Sequence, residues 1–148
     1  MILWRVSSYQ TLDGVGGLYV SGRWHTKGYP VLYCTLNSAT ALLETLVHIE
    51  IDSEDRPERF QVLRIECPDS LSIELIEALS LHTDWAQDIS STQAIGDRWL
   101  SEKRSLLLQV PCLLVPETWN VLVNPQHPEA NLLKLGAMYE PAFDARRL

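Results

Sequence analysis

The sequence predicts a single α+β domain with a mixed or antiparallel sheet and flanking helices. Three observations carry this. The length of 148 residues suits one domain, which buries roughly two-thirds of its unfolded surface without metal or disulfide support. Strand-like and helix-like segments follow in the order β, α, β, α, β, with short strands and many turns, unlike a regular doubly wound parallel sheet. The composition, 46% hydrophobic and 21% charged with no repeat or low-complexity tract, is that of a globular chain.

The elements can be justified in order. The runs "ILWRVS" and "YPVLYCT" are short, β-branched and aromatic, and Gly14, Gly16, Gly17, Gly22 and Gly28 punctuate the stretch between them, so strands and turns are expected. "GVGG" at 14–17 does not match a dinucleotide-binding glycine pattern and reads as a hairpin turn. Within "PVLYCT", a period of two puts Val31 and Tyr33 on one face and Leu32 and Cys34 on the other. From Asn37 or Ser38, both suitable N-caps, Ala39, Leu42, Leu43, Leu46, Val47 and Ile49 recur at helical spacing to about Ile51. On that helix the apolar stripe centres near Leu43 and Leu46, which leaves Glu44 at its boundary. "FQVLRIEC" alternates, with Leu63, Ile65 and Cys67 on one face of a half-buried strand. Residues 72–79 and 91–103 have helical character, the second placing Ile95 and Trp99 one turn apart. "SLLLQVPCLLVP" and "NVLVNP" return to strand composition, with prolines at run ends.

Composition also limits function. Twelve Lys and Arg against nineteen Asp and Glu give a net charge of −7, which opposes direct nucleic-acid binding. An anionic small molecule stays open if a few arginines gather in one cleft. No run approaches the ~18 apolar residues of a membrane helix, and "MILWRVSSYQ" lacks the form of a signal peptide, so a cytoplasmic protein is expected. Cys34, Cys67 and Cys112 are far apart and outside any C-x-x-C spacing, which predicts reduced, mostly buried thiols and no metal site.

The candidate chemistry lies mainly in residues 21–50. Arg23, beside a turn glycine and Trp24, could grip a phosphate bidentately or be an exposed loop arginine. Tyr33 is either a core ring with its hydroxyl at an edge or a ring that stacks on an aromatic ligand. Glu44 and His48, at i and i+4, face the same way, and each is either a solvated helix residue or part of a site. Asn120, Asn124 and His127 fall in "WNVLVNPQHPEA", where the Asn-Pro and His-Pro pairs mark turns. Protease, zinc-helix and P-loop patterns are not found.

Taken together and in this order, "LWRV", "SGRWH", "PVLY", "ALLETLVH", "GDRWL", "LLLQVPCLLVPETWNVLVNPQHP" and "FDARRL" resemble the RES domain, the toxin half of bacterial RES/Xre-type toxin–antitoxin pairs. The resemblance spans nearly the whole chain and implies one RES domain over residues 1–148 with an ADP-ribosyltransferase-like fold. It implies NAD as substrate rather than cofactor, consumed in some members and used to modify a protein in others. Arg5, Arg23, Tyr33 and Glu44 match the family's arginine, tyrosine and glutamate positions, and His48 a histidine one turn on. The family's serine falls in a "VPS" segment that here reads "VPC", at Cys112, with Ser105 as the alternative.

The expected roles follow from the resemblance. Glu44, Tyr33 and Arg23 would be catalytic, and Arg5, Trp24, His48, Cys112 and Asn124 would bind substrate. The expected activity is cleavage of the nicotinamide–ribose bond with water or phosphate as acceptor. The alternatives are protein ADP-ribosylation, or a scaffold that binds antitoxin and has lost turnover through Cys112. The expected partner is a cognate Xre-type helix-turn-helix antitoxin, in a complex that leaves room for a homodimer.

Overall fold

The structure, a computed structural model, describes residues 1–51 and 60–141, the side chains of residues 48–51 excepted. The C-terminal "FDARRL" therefore lies outside the described residues. Among the described residues the elements are β1 (Ile2–Ser7), α1 (Gly16–Tyr19), β2 (Leu32–Thr35), α2 (Ser38–Ile51), β3 (Gln61–Glu66), β4 (Ile73–Leu75), α3 (Ile89–Glu102), β5 (Leu107–Pro111), β6 (Trp119–Val123) and β7 (Lys134–Tyr139). The seven strands form one sheet in the order β4-β5-β6-β2-β1-β3-β7. Only β4 and β5 pair in parallel; the remaining pairs are antiparallel. The domain is thus α+β with a mixed sheet.

Two apolar clusters sit around the central strands. Leu32 and Cys34 of β2 pack with Leu3, Ile65, Leu107, Val121 and Val123. Val31 and Tyr33 pack with Trp24, Trp99, Leu108, Val110 and Leu122. The period of two read from "PVLYCT" therefore separates two cores. Ile95 and Trp99 both face the second cluster, as their spacing predicts. The three thiols are free and buried.

Each long helix has a polar start. The Asn37 side chain accepts from Thr40 N at 2.7 Å at the head of α2, and Asp88 accepts from Ser91 N at 3.2 Å at the head of α3. Such caps satisfy backbone donors that have no partner inside the helix. Lys103, with φ 51°, ends α3 in a left-handed turn.

Four expectations need correction. Residues 72–79 do not form a helix: Ile73–Leu75 is an edge strand, because Ile73 pairs with Leu107 and Leu75 with Gln109, while Arg104 holds Glu74 at 3.0 Å. Long-range pairing overrides the local pattern there. "GVGG" is not a hairpin turn but leads into α1, and the Gly14 carbonyl accepts from Gly17 N at 3.1 Å and Val31 N at 3.2 Å, tying the loop to the approach to β2. In β3, Val62 is as buried as Leu63 and Ile65, so both faces of the strand are covered there rather than one. On α2, Leu43 and Leu46 are each 41% exposed, whereas Thr40 and Ala41 are buried and Glu44 turns inward. The stripe that faces the protein is rotated away from the most apolar one. β7 was not foreseen in "KLGAMY", where its two glycine and alanine residues hide the alternation.

Candidate active site

A cavity of about 610 Å³ opens beside the middle of the sheet, within the size range of small-molecule sites. Tyr33 of β2 and Asn120 of β6 share a sheet face, because Tyr33 and Thr35 lie two apart and Thr35 pairs with Asn120. Arg5 comes from β1, Glu44 and Val47 from α2, and residues 20–25 from the loop after α1. Leu113 and Leu114 complete the wall beyond β5.

Glu44 is held rather than solvated. Its Oε1 receives the Asn120 amide, with Nδ2 at 2.6 Å, and the Cys112 thiol, with Sγ at 3.4 Å. Both partners donate to the same oxygen, so Oε2 is left for the cavity. A carboxylate accepts only, which fixes the Asn120 amide with its nitrogen toward Glu44. Asn120 Oδ1 is then buried without a hydrogen-bond partner among the described residues.

Tyr33 is locked by its neighbours. Its hydroxyl lies 2.7 Å from His25 Nδ1 and accepts from Trp24 N at 3.2 Å. His25 Nε2 is 3.2 Å from the Gly17 carbonyl oxygen. That oxygen can only accept, so Nε2 carries the imidazole proton and Nδ1 takes the proton of Tyr33. Burial pushes the Tyr33 phenol above its ordinary range, and the Trp24 backbone hydrogen bond offsets this in part. The phenol therefore stays neutral, and its one proton is committed to His25. What Tyr33 offers the cavity is the ring. Gly22 is required beside it, since a Cβ there would overlap the Tyr33 hydroxyl.

The loop carrying Arg23 is clamped by α3. Thr92 Oγ1 donates to the Arg23 carbonyl at 2.5 Å, Gln93 Nε2 to the Gly22 carbonyl at 2.9 Å, and Asp97 accepts from Thr26 N at 2.8 Å. Gly96 lets the helix approach closely: a Cβ at that position would overlap the Trp24 carbonyl oxygen. This explains "GDRWL" physically. Gly96 and Asp97 receive the loop, while Trp99, fully buried, anchors the helix beneath it.

Two guanidinium groups line the cavity without a carboxylate partner among the described residues. Arg5 Nη1 donates to the Tyr33 carbonyl at 3.4 Å, and its Nε is buried without an acceptor. Arg23 Nη1 donates to the Ala86 carbonyl at 3.0 Å. Although the chain carries a net charge of −7, two such groups at one cavity are able to pair with an anion that enters it.

Residues 2–143 match the model of the RES domain. The chain belongs to the RES domain family. A protein named Toxin Res from Pseudomonas putida is 47% identical over 135 residues, covering 91% of this chain and 92% of that protein. A protein named Prs ADP-ribosylating toxin from a Sphingobium species is 32% identical over 155 residues, covering 98% of this chain and 95% of that protein. Among solved structures, the M. tuberculosis MbcT-MbcA toxin–antitoxin complex contains a chain that matches with a TM-score of 0.77 at 18% identity, over 95% of this chain and 84% of that one. At that identity the likeness is one of fold.

Of the residues singled out in the sequence, Arg5, Arg23, Trp24, Tyr33 and Glu44 line the cavity together. Trp24 does so from within the core, at 2% exposure and with its ring centroid 6.1 Å from that of Trp85. Cys112 stands behind Glu44 as a buried donor. Ser105, the alternative for the family serine, is elsewhere: it accepts from Trp99 Nε1 at 2.8 Å and donates to the Leu107 carbonyl at 2.7 Å. Asn124, expected to bind substrate, does not line the cavity. It is buried, donates to the Leu100 carbonyl at 3.1 Å and accepts from Gln126 N at 3.1 Å, which employs both ends of its amide. The side chain of His48 lies outside the described residues. Sequence reasoning passed over His25, and it placed Asn120 in a strand-like run without giving it a role in the site. Its pairing with Thr35 is invisible to local pattern.

Proposed function

We propose that this chain is the toxin of a toxin–antitoxin pair and acts by breaking the nicotinamide–ribose bond of NAD. The observation that carries the reading is the Glu44 carboxylate, fixed through one oxygen by Asn120 and Cys112 in a cavity that also holds Arg5, Arg23 and Tyr33. The names Toxin Res and Prs ADP-ribosylating toxin among its relatives support it.

In the reaction, the bond between ribose C1′ and the pyridinium nitrogen breaks, and its electron pair leaves with neutral nicotinamide. Positive charge builds on the ribose ring. Glu44, held in place before the reaction by Asn120 and Cys112, stabilises that charge without having to reorganise. The Tyr33 ring stacks on the nicotinamide, while Arg23 and Arg5 pair with the pyrophosphate. Water then attacks C1′ and releases one proton to solvent, or an anionic phosphate oxygen attacks C1′ with no proton to lose. Trp24 closes the wall, and Cys112 orients Glu44.

An antitoxin partner fits the apolar mouth. Val20, Leu113 and Leu114 are exposed and line the cavity, a surface that a protein partner would cover. We assign this role to an Xre-type helix-turn-helix protein, and place the pair in the cytoplasm.

A second reading, transfer of ADP-ribose to a protein, is favoured by the similarity to the Prs ADP-ribosylating toxin. NAD labelled on its adenylate half separates the two. Label that moves from NAD into ADP-ribose or its phosphate with purified chain alone supports cleavage onto water or phosphate. Label that becomes acid-precipitable only when a cell extract is added supports protein modification.

A further inference from the structure

The cavity holds one polar group that the mechanism above uses only in part. Asn120 donates through Nδ2 to Glu44 Oε1 at 2.6 Å, and the acceptor-only carboxylate dictates that orientation of the amide. Its Oδ1 is buried and has no hydrogen-bond partner among the described residues. Buried carbonyl oxygens of this kind are normally satisfied, and Asn120 lines the cavity. The atom lacks a donor among the described residues, and its residue stands on the wall of a cavity where a ligand would bring one.

We propose that Asn120 is a substrate-binding and specificity-determining residue, whose Oδ1 accepts a hydrogen bond from the 3′-hydroxyl of the ribose that bears the departing nicotinamide. The proposal rests on the reading that this cavity takes NAD. Glu44, acting on charge that develops at C1′, must lie toward the C1′–C2′ side of the ring. Asn120 Oδ1 belongs to the same amide whose Nδ2 meets that carboxylate at 2.6 Å. Two acceptors side by side, the free Glu44 oxygen and Asn120 Oδ1, complement the two adjacent hydroxyl donors of a ribose. A single amide thus couples the posture of the carboxylate to recognition of the sugar. Sites built to hydrogen-bond a hydroxyl discriminate against the analogue that lacks it, because the buried acceptor is then left unpaired.

The test compares kcat/KM for NAD and for its analogue lacking the 3′-hydroxyl on the nicotinamide-side ribose, in the parent chain and in Asn120→Leu and Asn120→Asp. The parent should prefer NAD by roughly tenfold or more. Asn120→Leu should lower activity on NAD and bring the two substrates within about twofold of each other. Asn120→Asp, which keeps the acceptor, should retain preference for NAD even though it disturbs Glu44. A residue that merely supported the fold would lower both substrates equally and leave the ratio unchanged, and that result overturns the proposal. A parent chain that turns over NAD with no preference for the hydroxyl overturns it as well, while leaving the proposed function standing. A parent chain that does not turn over NAD at all removes both.

Discussion

Glu44→Gln is the substitution whose effect the geometry specifies most closely. Glu44 Oε1 receives Asn120 Nδ2 at 2.6 Å and Cys112 Sγ at 3.4 Å. Because both partners donate, a glutamine keeps its oxygen at that position and turns its NH₂ to where Oε2 stood. Helix, volume and anchoring contacts are retained, and the charge is lost. A charge-assisted hydrogen bond worth about 1.5–3 kcal/mol becomes a neutral one worth about 0.5–1.5. The neutral amide also costs less to desolvate at a half-buried position. The net change in stability should be about 1 kcal/mol, or a fall in Tm of about 2–4 °C for a chain of this size. Catalysis should suffer far more, because removing one preorganised electrostatic group at a developing charge lowers kcat by about 10²–10³. The assay is initial-rate release of nicotinamide from NAD, with Tm measured on the same preparation. A fall in kcat with KM little changed identifies an interaction made in the transition state. A variant that melts like the parent and turns over within threefold of it would refute the reasoning.

Arg23→Ala should weaken NAD binding by roughly tenfold to a hundredfold, the loss of one charged contact; unchanged affinity by calorimetry would return Arg23 to a structural role through its bond to Ala86. Cys112→Ser should raise turnover, since a hydroxyl is a stronger donor to Glu44 than a thiol, and equal rates in parent and variant would show that the position needs only a small residue. Gly96→Ala should drive a methyl group into the Trp24 carbonyl and displace the Arg23 loop, costing about 1–3 kcal/mol; a denaturant midpoint equal to the parent's would show that α3 does not set this loop.

How much of this was legible in the sequence differs from place to place for physical reasons. The helix from Ser38 to Ile51 was legible because a polar cap and a long apolar period agree. The two faces of β2 were legible because alternation is local. The inward turn of Glu44 was not: Leu43 and Leu46 make the more apolar stripe, yet the helix turns Thr40, Ala41 and Glu44 toward the protein. The strand Ile73–Leu75 was read as helix because its stability comes from a partner more than thirty residues away. Glu44, Tyr33, Arg23 and Arg5 were found through their likeness to a family pattern, and their convergence on one cavity appears only in the fold. Asn124, from the same pattern, is spent on holding loops together. The roles of His25 and Asn120 were not legible because each acts through another residue, one by orienting Tyr33 and the other by gripping Glu44, and such pairings leave no local signature.

The central claim is that this cavity breaks the nicotinamide–ribose bond of NAD. The most direct measurement incubates purified chain, free of any antitoxin, with NAD in buffers with and without phosphate, and quantifies NAD, nicotinamide and every ADP-ribosyl product. NAD should disappear with one equivalent of nicotinamide released, the remaining half appearing as ADP-ribose or its 1″-phosphate, and Glu44→Gln should suppress both changes. NAD that stays intact in both buffers, or that is cut at the pyrophosphate with nicotinamide still attached to its ribose, would contradict it.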